Sequence, residues 1–485
     1  MGRALVMCLL LFVCALPAIG SQVPPDPFVG TWTGVMHSGD VSKTIGLRFD
    51  VNAKGDKVVF LDMPDLRFHN IGPFPLKQEG ENYAGGGFNL KLASEKSITG
   101  TLSFDGNDLT FEVQPGPLPG QPGPANFTAP IAQPKWTFKT AAAVWGSPIV
   151  ADGIVYFGSN DGNIYALKAG SGQQVWQFKT GGPVIGRPTI EGTYLYSLSD
   201  DGFLYKLDRR TSKLVWKFDT HGGSIKRDWP SPKTEGYDYL TSSATVEDGI
   251  VYIGSADKKL YAINAKTGEE KWNFETKGIV RSTPAVVAGR VIIGSHDYNV
   301  YAVDAKTGAL SWKYDTKREV VSSPLVVNGT VYIGSRCSDL FAFDAETGKV
   351  RWKYFYWTSW VESSARFRDG KLYVGSSDAQ QLFAIDPSTG KRIWNANLDG
   401  SVWSSPAVTE QHVFVGVIGT EPYFLPHHGG FFAVDHSSGS VLWRFPMAKM
   451  ERLVDYGVAS SPAVDNGLVF FGGLDGTFYA FKVSG

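Results

Sequence analysis

Eight positions in this sequence share a context suited to ligand contact. Trp145, Ile185, Thr241, Arg281, Val321, Glu362, Trp403 and Ala459 each stand just before a Ser/Gly-Ser/Thr-Pro type signal, at intervals of roughly 40 residues. If each begins the innermost strand of a repeat, all eight face one mouth of a central channel. Trp145 and Trp403 then lie on one side, with Arg281 and Glu362 on the other. Two aromatic faces opposite a cation and an anion suit a planar or zwitterionic ligand, held by stacking and charge-assisted hydrogen bonds. The structural alternative is an Arg281–Glu362 salt bridge with the tryptophans plugging the channel.

Two insertions add further candidates. The third repeat carries extra residues from Ser224 to Tyr239, among them Arg227, Trp229 and Tyr239, residue types enriched at binding hot spots. They lead directly into an inner strand, which places them over the same mouth. The seventh repeat carries Thr420 to Gly430 with His427 and His428. Adjacent histidines on one strand do not readily share a metal, and no third His or Cys stands at zinc-site spacing, so the pair reads as structural or solvated. Cys337 follows Arg336 but has no His near it in sequence, which makes it a free thiol rather than a nucleophile. Asn160-Asp161-Gly162 and Leu474-Asp475-Gly476 read as turns, not calcium loops. No catalytic residue and no metal site is expected.

The elements that position these residues come from a repeat. Trp136, Trp176, Trp216, Trp272, Trp312, Trp352, Trp394 and Trp443 recur about every 40 residues, with longer steps after Trp216 and Trp394. Each period runs through Ser-Pro and an apolar strand, an Asp-Gly or Asn-Gly turn, Val-Tyr-x-Gly-Ser, a second turn, Leu-Tyr-Ala-x-Asp, Thr-Gly and the Trp strand. Four short strands per period cannot bury both faces alone, so the copies stack radially as propeller blades. The last copy stops at Gly485 before any Trp strand, and the missing strand is Lys135 to Phe138 at the other end. The spacing therefore predicts an all-β, eight-bladed propeller over residues 134–485, closed by its N-terminal strand, with the eight tryptophans as structural docking residues.

Ahead of the propeller, residues 114–133 hold six prolines and three glycines, the composition of a semi-rigid linker. Residues 27–113 alternate apolar and polar, with Ile45, Leu47, Phe49 and Val51 on one face and Leu109, Phe111 and Val113 on another. That pattern predicts a small antiparallel barrel or sandwich. Residues 1–20 pair Arg3 with an apolar run and small residues before Ser21, a secretory signal without the small residue before Cys14 that a lipoprotein box needs. The mature product is expected in the periplasm or outside the cell, with no transmembrane segment. With 46 Lys+Arg against 47 Asp+Glu, the chain lacks the basic excess of a nucleic-acid binder.

The Tyr-Ala-x-Asp-x-x-Thr-Gly-x-x-x-Trp repeat resembles the tryptophan-docking motif of the pyrroloquinoline quinone (PQQ) propeller superfamily. Phe28-Val29-Gly30-Thr31-Trp32 is similar to the Gly-x-Trp start of lipocalin-like barrels. The superfamily includes quinoprotein alcohol and glucose dehydrogenases and the cofactor-free outer-membrane assembly factor BamB. The dehydrogenase resemblance would imply an adjacent cysteine pair, a calcium set and an Asp base. Cys337 is the one cysteine after the signal, so that pair cannot form. The BamB-like reading implies a non-enzymatic scaffold with a protein partner and no cofactor. The alternative is an atypical quinoprotein oxidoreductase seating PQQ with calcium at Trp145, Arg281, Glu362 and Trp403. Carbohydrate binding through the aromatics is a third possibility.

Overall fold

Alternating side chains and two-residue turns produce strands throughout, and among the described residues there is no α-helix. The computed structural model describes residues 28–485 apart from 39–40, 65–67, 95, 105–106, 121–126, 224–240, 358, 421–426 and 450–454. The predicted signal, residues 1–20, and the candidates Arg227, Trp229 and Tyr239 lie outside the described residues. No helix among them is long and apolar enough to cross a membrane.

The N-terminal unit is one antiparallel sheet of nine strands. Gly30–Ser38 pairs with Val41–Val51 on one side and with Asn107–Pro115 on the other, so the ends of the segment meet at the middle of the sheet. The sheet is nearly closed, its free edges being Phe68–Pro75 and Lys77–Glu79, which are consecutive in the chain. Alternation fills the interior with Trp32, Ile45, Leu47, Phe49, Leu109, Phe111 and Val113, all buried. Val51, expected on the same face, is 46% exposed because it ends its strand beside the Asn52–Asp56 turn.

The second unit is the eight-bladed propeller. Blade 1 comprises Ile149–Ala151, Ile154–Gly158, Asn163–Lys168 and Gln174–Lys179, and six further blades repeat this up-and-down order. Blade 8 takes Ala463–Asp465, Leu468–Gly472 and Thr477–Lys482 from the C-terminus and Trp136–Lys139 from the N-terminus, with Trp136 opposite Ala480. The first hairpin of each blade is a two-residue turn, and at Asn328-Gly329 both residues have positive φ, 49° and 70°. That geometry matches strand twist and explains the Asp-Gly and Asn-Gly signals. Blade 7 has a fifth strand, Asp455–Gly457, which pairs with the extended His412–Thr420.

Burial explains the two-sided apolar strands. The second and third strands of each blade are buried on both faces, whereas in blade 4 the outer strand alternates exposed and half-buried residues. The core thus lies between blades rather than within them. Ile292, Val300 and Ala302 of blade 4 pack against Val331, Ile333, Phe341 and Phe343 of blade 5, for example. Phe157 of blade 1 stacks on Phe478 of blade 8 at 3.9 Å, so the closure joins one continuous ring of cores.

The tryptophans fasten this ring. Each indole Nε1 donates to a backbone carbonyl of the next blade, from Trp136 to Ala169 (2.9 Å) round to Trp443 and Val483 (3.1 Å). The intervening donors are Trp176, Trp216, Trp272, Trp312, Trp352 and Trp394, bonded to Arg209, Ala265, Ala305, Ala345, Pro387 and His436. At the far end of the predicted linker, residues 127–133 are docked on blade 7. Phe127 lies 5.3 Å from Phe432, and Ala132 N–H donates to the Arg444 carbonyl.

Candidate functional site in the propeller channel

The residue before each inner-strand signal faces the axis because the short inner strand of each blade, two or three residues long, lines it. Trp145, Ile185, Thr241, Arg281, Val321, Glu362, Trp403 and Ala459 all line one cavity of about 380 Å³. That volume falls in the range of small-molecule sites. Trp145 is half-buried, while Arg281, Glu362 and Trp403 are buried. Trp403 Nε1 donates to Ser377 Oγ at 3.0 Å, which fixes the indole in the wall.

Glu362 corrects the expected charge arrangement. Its Oε1 accepts from Nε and Nη2 of Arg336, both at 2.7 Å, and not from Arg281. Arg336 comes from a turn of blade 5, and its guanidinium also lies over the Trp360 ring at 4.6 Å. Burial pushes the Glu362 carboxyl above the usual range, and the charge of Arg336 restrains that rise. Nor do Trp145 and Trp403 stand apart from Glu362 as a separate side: blade 6, which carries Glu362, is the neighbour of blade 7, which carries Trp403.

One layer deeper, the sequence pattern holds a feature that residue-by-residue reading passed over. The next position round the ring is Ser147, Arg187, Ser243, Thr283, Ser323, Ser364, Ser405 and Ser461, again all on the cavity wall. Each hydroxyl accepts the backbone N–H of the same position in the preceding blade. The bonds run from Arg187 to Ser243 (3.0 Å), then to Thr283, Ser323, Ser364, Ser405 and Ser461, and finally to Ser147 (2.9 Å). The girdle stops between blades 1 and 2, because residue 187 is arginine and offers Ser147 no hydroxyl. Two residues further along, blade 6 places Arg366 where blades 4, 7 and 8 have alanine. Both departures were visible as breaks in the repeat.

The remaining candidates are structural in character. Asp161 accepts from Tyr165 Oη at 2.8 Å and Asp475 from Tyr479 Oη at 2.6 Å, so these turns brace their own strands. Blade 5 replaces that pair with Cys337 and Phe341, and the Cys337 thiol is buried and pushed up to about 12 by desolvation. His427 accepts the Thr420 N–H at Nδ1, and its carbonyl accepts Tyr456 Oη, tying the blade 7 insertion to the added strand. Among the described residues no three His, Cys, Asp or Glu side chains are grouped to hold a metal ion.

The family model described as outer membrane protein assembly factor BamB, PQQ_2, matches residues 132–232, 226–369 and 356–485. The chain belongs to this BamB-like PQQ-repeat propeller family. Its match spans every blade, while the nine-stranded N-terminal sheet lies ahead of it. The fold is similar to that of BamB from Moraxella catarrhalis, at 17% identity and a TM-score of 0.54 over 73% of this chain and 100% of that one. It is also similar to quinohemoprotein alcohol dehydrogenase ADHIIG from Pseudomonas putida HK5, at 16% identity and 0.55, over 73% and 76% of the two chains. Saccharomyces cerevisiae Sqt1 matches at 15% identity and 0.58, over 73% and 100%. At these identities the likeness is one of fold. No curated protein matches the chain.

Proposed function

We propose that this BamB-like chain is a secreted, periplasmic scaffold that binds a protein partner in outer-membrane assembly and catalyses no reaction. The observation that carries the reading is the Glu362–Arg336 pair. A quinone site with calcium needs free carboxylates beside the channel, and among the described residues the one carboxylate lining this mouth is already taken by a guanidinium. A calcium-bound quinone therefore does not fit the described residues of the mouth. The same mouth is lined by Trp145, Arg281 and Trp403, types that anchor protein interfaces.

The test is complementation. Expressed in a bacterium lacking its own BamB, the chain is expected to restore outer-membrane protein levels, and Trp145→Ala combined with Arg281→Ala is expected to abolish the effect. Wild-type protein that reaches the periplasm folded and restores nothing, or restores equally in the double variant, contradicts the reading.

The oxidoreductase alternative keeps one supporting observation, that Trp145, Arg281, Glu362 and Trp403 share a single cavity.

A further inference from the structure

Two arginines line the propeller channel with no counter-ion among the described residues. Arg187 belongs to blade 2 and Arg366 to blade 6, four blades apart and hence on opposite walls of an eightfold ring. Both line the mouth cavity of about 380 Å³, and both also line a second cavity of about 360 Å³ whose wall includes Arg368 and Asp465. The pair thus stands where the two cavities join.

Among the described residues, no free carboxylate on the cavity walls balances these two guanidiniums. Among the described residues neither arginine has an ion-pair partner, and the only side-chain bond of Arg366 runs from Nη1 to the Ala365 carbonyl at 3.3 Å. The two acids lining these cavities are engaged elsewhere, Glu362 with Arg336 and Asp465 with the Asn466 amide at 2.9 Å. Arg187 is open to the channel and Arg366 half-buried, so both forks reach its interior while protein walls surround them. That enclosure lowers both pKa values, Arg366 to about 10 with the charge of Arg187 contributing. Both stay cationic at neutral pH, so two like charges face each other across a narrow, partly dehydrated space. Such an arrangement costs free energy until an anion neutralises it.

The substitutions that create the pair also carry a structural cost. Arg187 replaces the hydroxyl that all seven other blades use for the girdle, and so forgoes one inter-blade hydrogen bond. Arg366 occupies a position that is alanine in three blades and uncharged in the other four. Hydroxyls of Ser147, Ser364 and Ser461 line the same cavity and can complete the coordination of an oxyanion.

We propose that Arg187 and Arg366 form a binding site for a small multivalent oxyanion, a phosphate or a dicarboxylate, clamped between opposite walls of the channel. The planar guanidinium forks suit bidentate contact with either group. This site shares the mouth cavity with Trp145, Arg281 and Trp403 but rests on different residues, and it does not depend on the scaffold reading.

The test is calorimetric titration of the mature protein with inorganic phosphate and, separately, with succinate, at ionic strength held constant with chloride to remove general screening. Saturable binding of at least one anion below about 10 mM is expected. Phosphate alone would assign the site to phosphoryl groups, and succinate alone to paired carboxylates. Arg187→Ser and Arg366→Ala are each expected to weaken binding by about tenfold or more, as loss of a charged hydrogen bond implies. Both variants install the residue type that other blades already carry, so folding is retained, and Arg187→Lys is expected to recover part of the affinity. No saturation by either anion, or unchanged affinity in the two variants, would overturn the proposal.

Discussion

Trp312 Nε1 donates to the carbonyl oxygen of Ala345 at 3.1 Å, one blade further round the ring. The same relationship recurs at all eight junctions, so each blade is held by the next. Trp312→Phe keeps the ring but leaves that carbonyl without its donor, and is expected to cost about 1–3 kcal/mol in denaturant unfolding. A paired comparison isolates the packing. Gly308 and Gly289 both have positive φ (73° and 72°), but a Cβ on Gly308 would stand 2.7 Å from Trp272, whereas Gly289 faces open space. Gly289→Ala is expected to cost about 1–2 kcal/mol from backbone strain alone, and Gly308→Ala about 1–3 kcal/mol more. Equal losses would refute the docking role of Trp272.

The broken girdle makes an opposite prediction. Arg187→Ser supplies the missing acceptor for Ser147 and removes an unpaired cation, so in anion-free buffer the variant should be more stable than wild type by about 0.5–1.5 kcal/mol. Ser243→Ala removes the acceptor for Arg187 N–H and should lose a comparable amount. Chemical denaturation of the two variants reads both signs, and destabilisation by Arg187→Ser would contradict the account.

Much of this was legible in the sequence because the repeat made each position comparable with seven others. The 40-residue spacing, the Asn-Gly and Asp-Gly turns and the Lys135–Phe138 strand specified the propeller and its closure. The Ser-Pro signals located all eight residues of the mouth. What escaped was side-chain reach: Glu362 finds Arg336 in a turn of another blade, 26 residues earlier, and no periodicity reports that. The three-residue strand Asp455–Gly457 was too short to show alternation. Arg187 and Arg366 escaped because they depart from the repeat rather than repeat.

Cys337 is 2% exposed and its thiol is raised by burial, so the thiolate is suppressed at neutral pH. The native mature protein should react with a disulfide reagent only at the rate of unfolding, and stoichiometrically in denaturant. Rapid modification of the native chain would show that the blade 5 turn opens.

Blade 7 should carry an acid sensitivity. Burial lowers the pKa of His412, stacked 5.3 Å from Phe414, and of His436, 5.4 Å from the Tyr373 ring. The folded state then binds fewer protons than the unfolded chain just below the ordinary histidine value of 6.5. Stability from these groups is complete above that value and falls as pH drops through it. Melting temperatures from about pH 7.5 to 5.5 should decline, and the slope should flatten in the His412→Gln, His436→Gln double variant. An unchanged slope would reject this origin.

The central claim, that the mouth is a binding surface and not a quinone active site, is tested most directly by titrating the mature protein with PQQ and calcium. Tryptophan fluorescence and the quinone spectrum report binding, and dye-linked alcohol or sugar oxidation reports turnover. The account predicts no calcium-dependent quinone binding and no turnover. Saturable, calcium-dependent binding with turnover, both lost in Arg281→Ala and Trp403→Ala, would contradict it and make the protein an oxidoreductase.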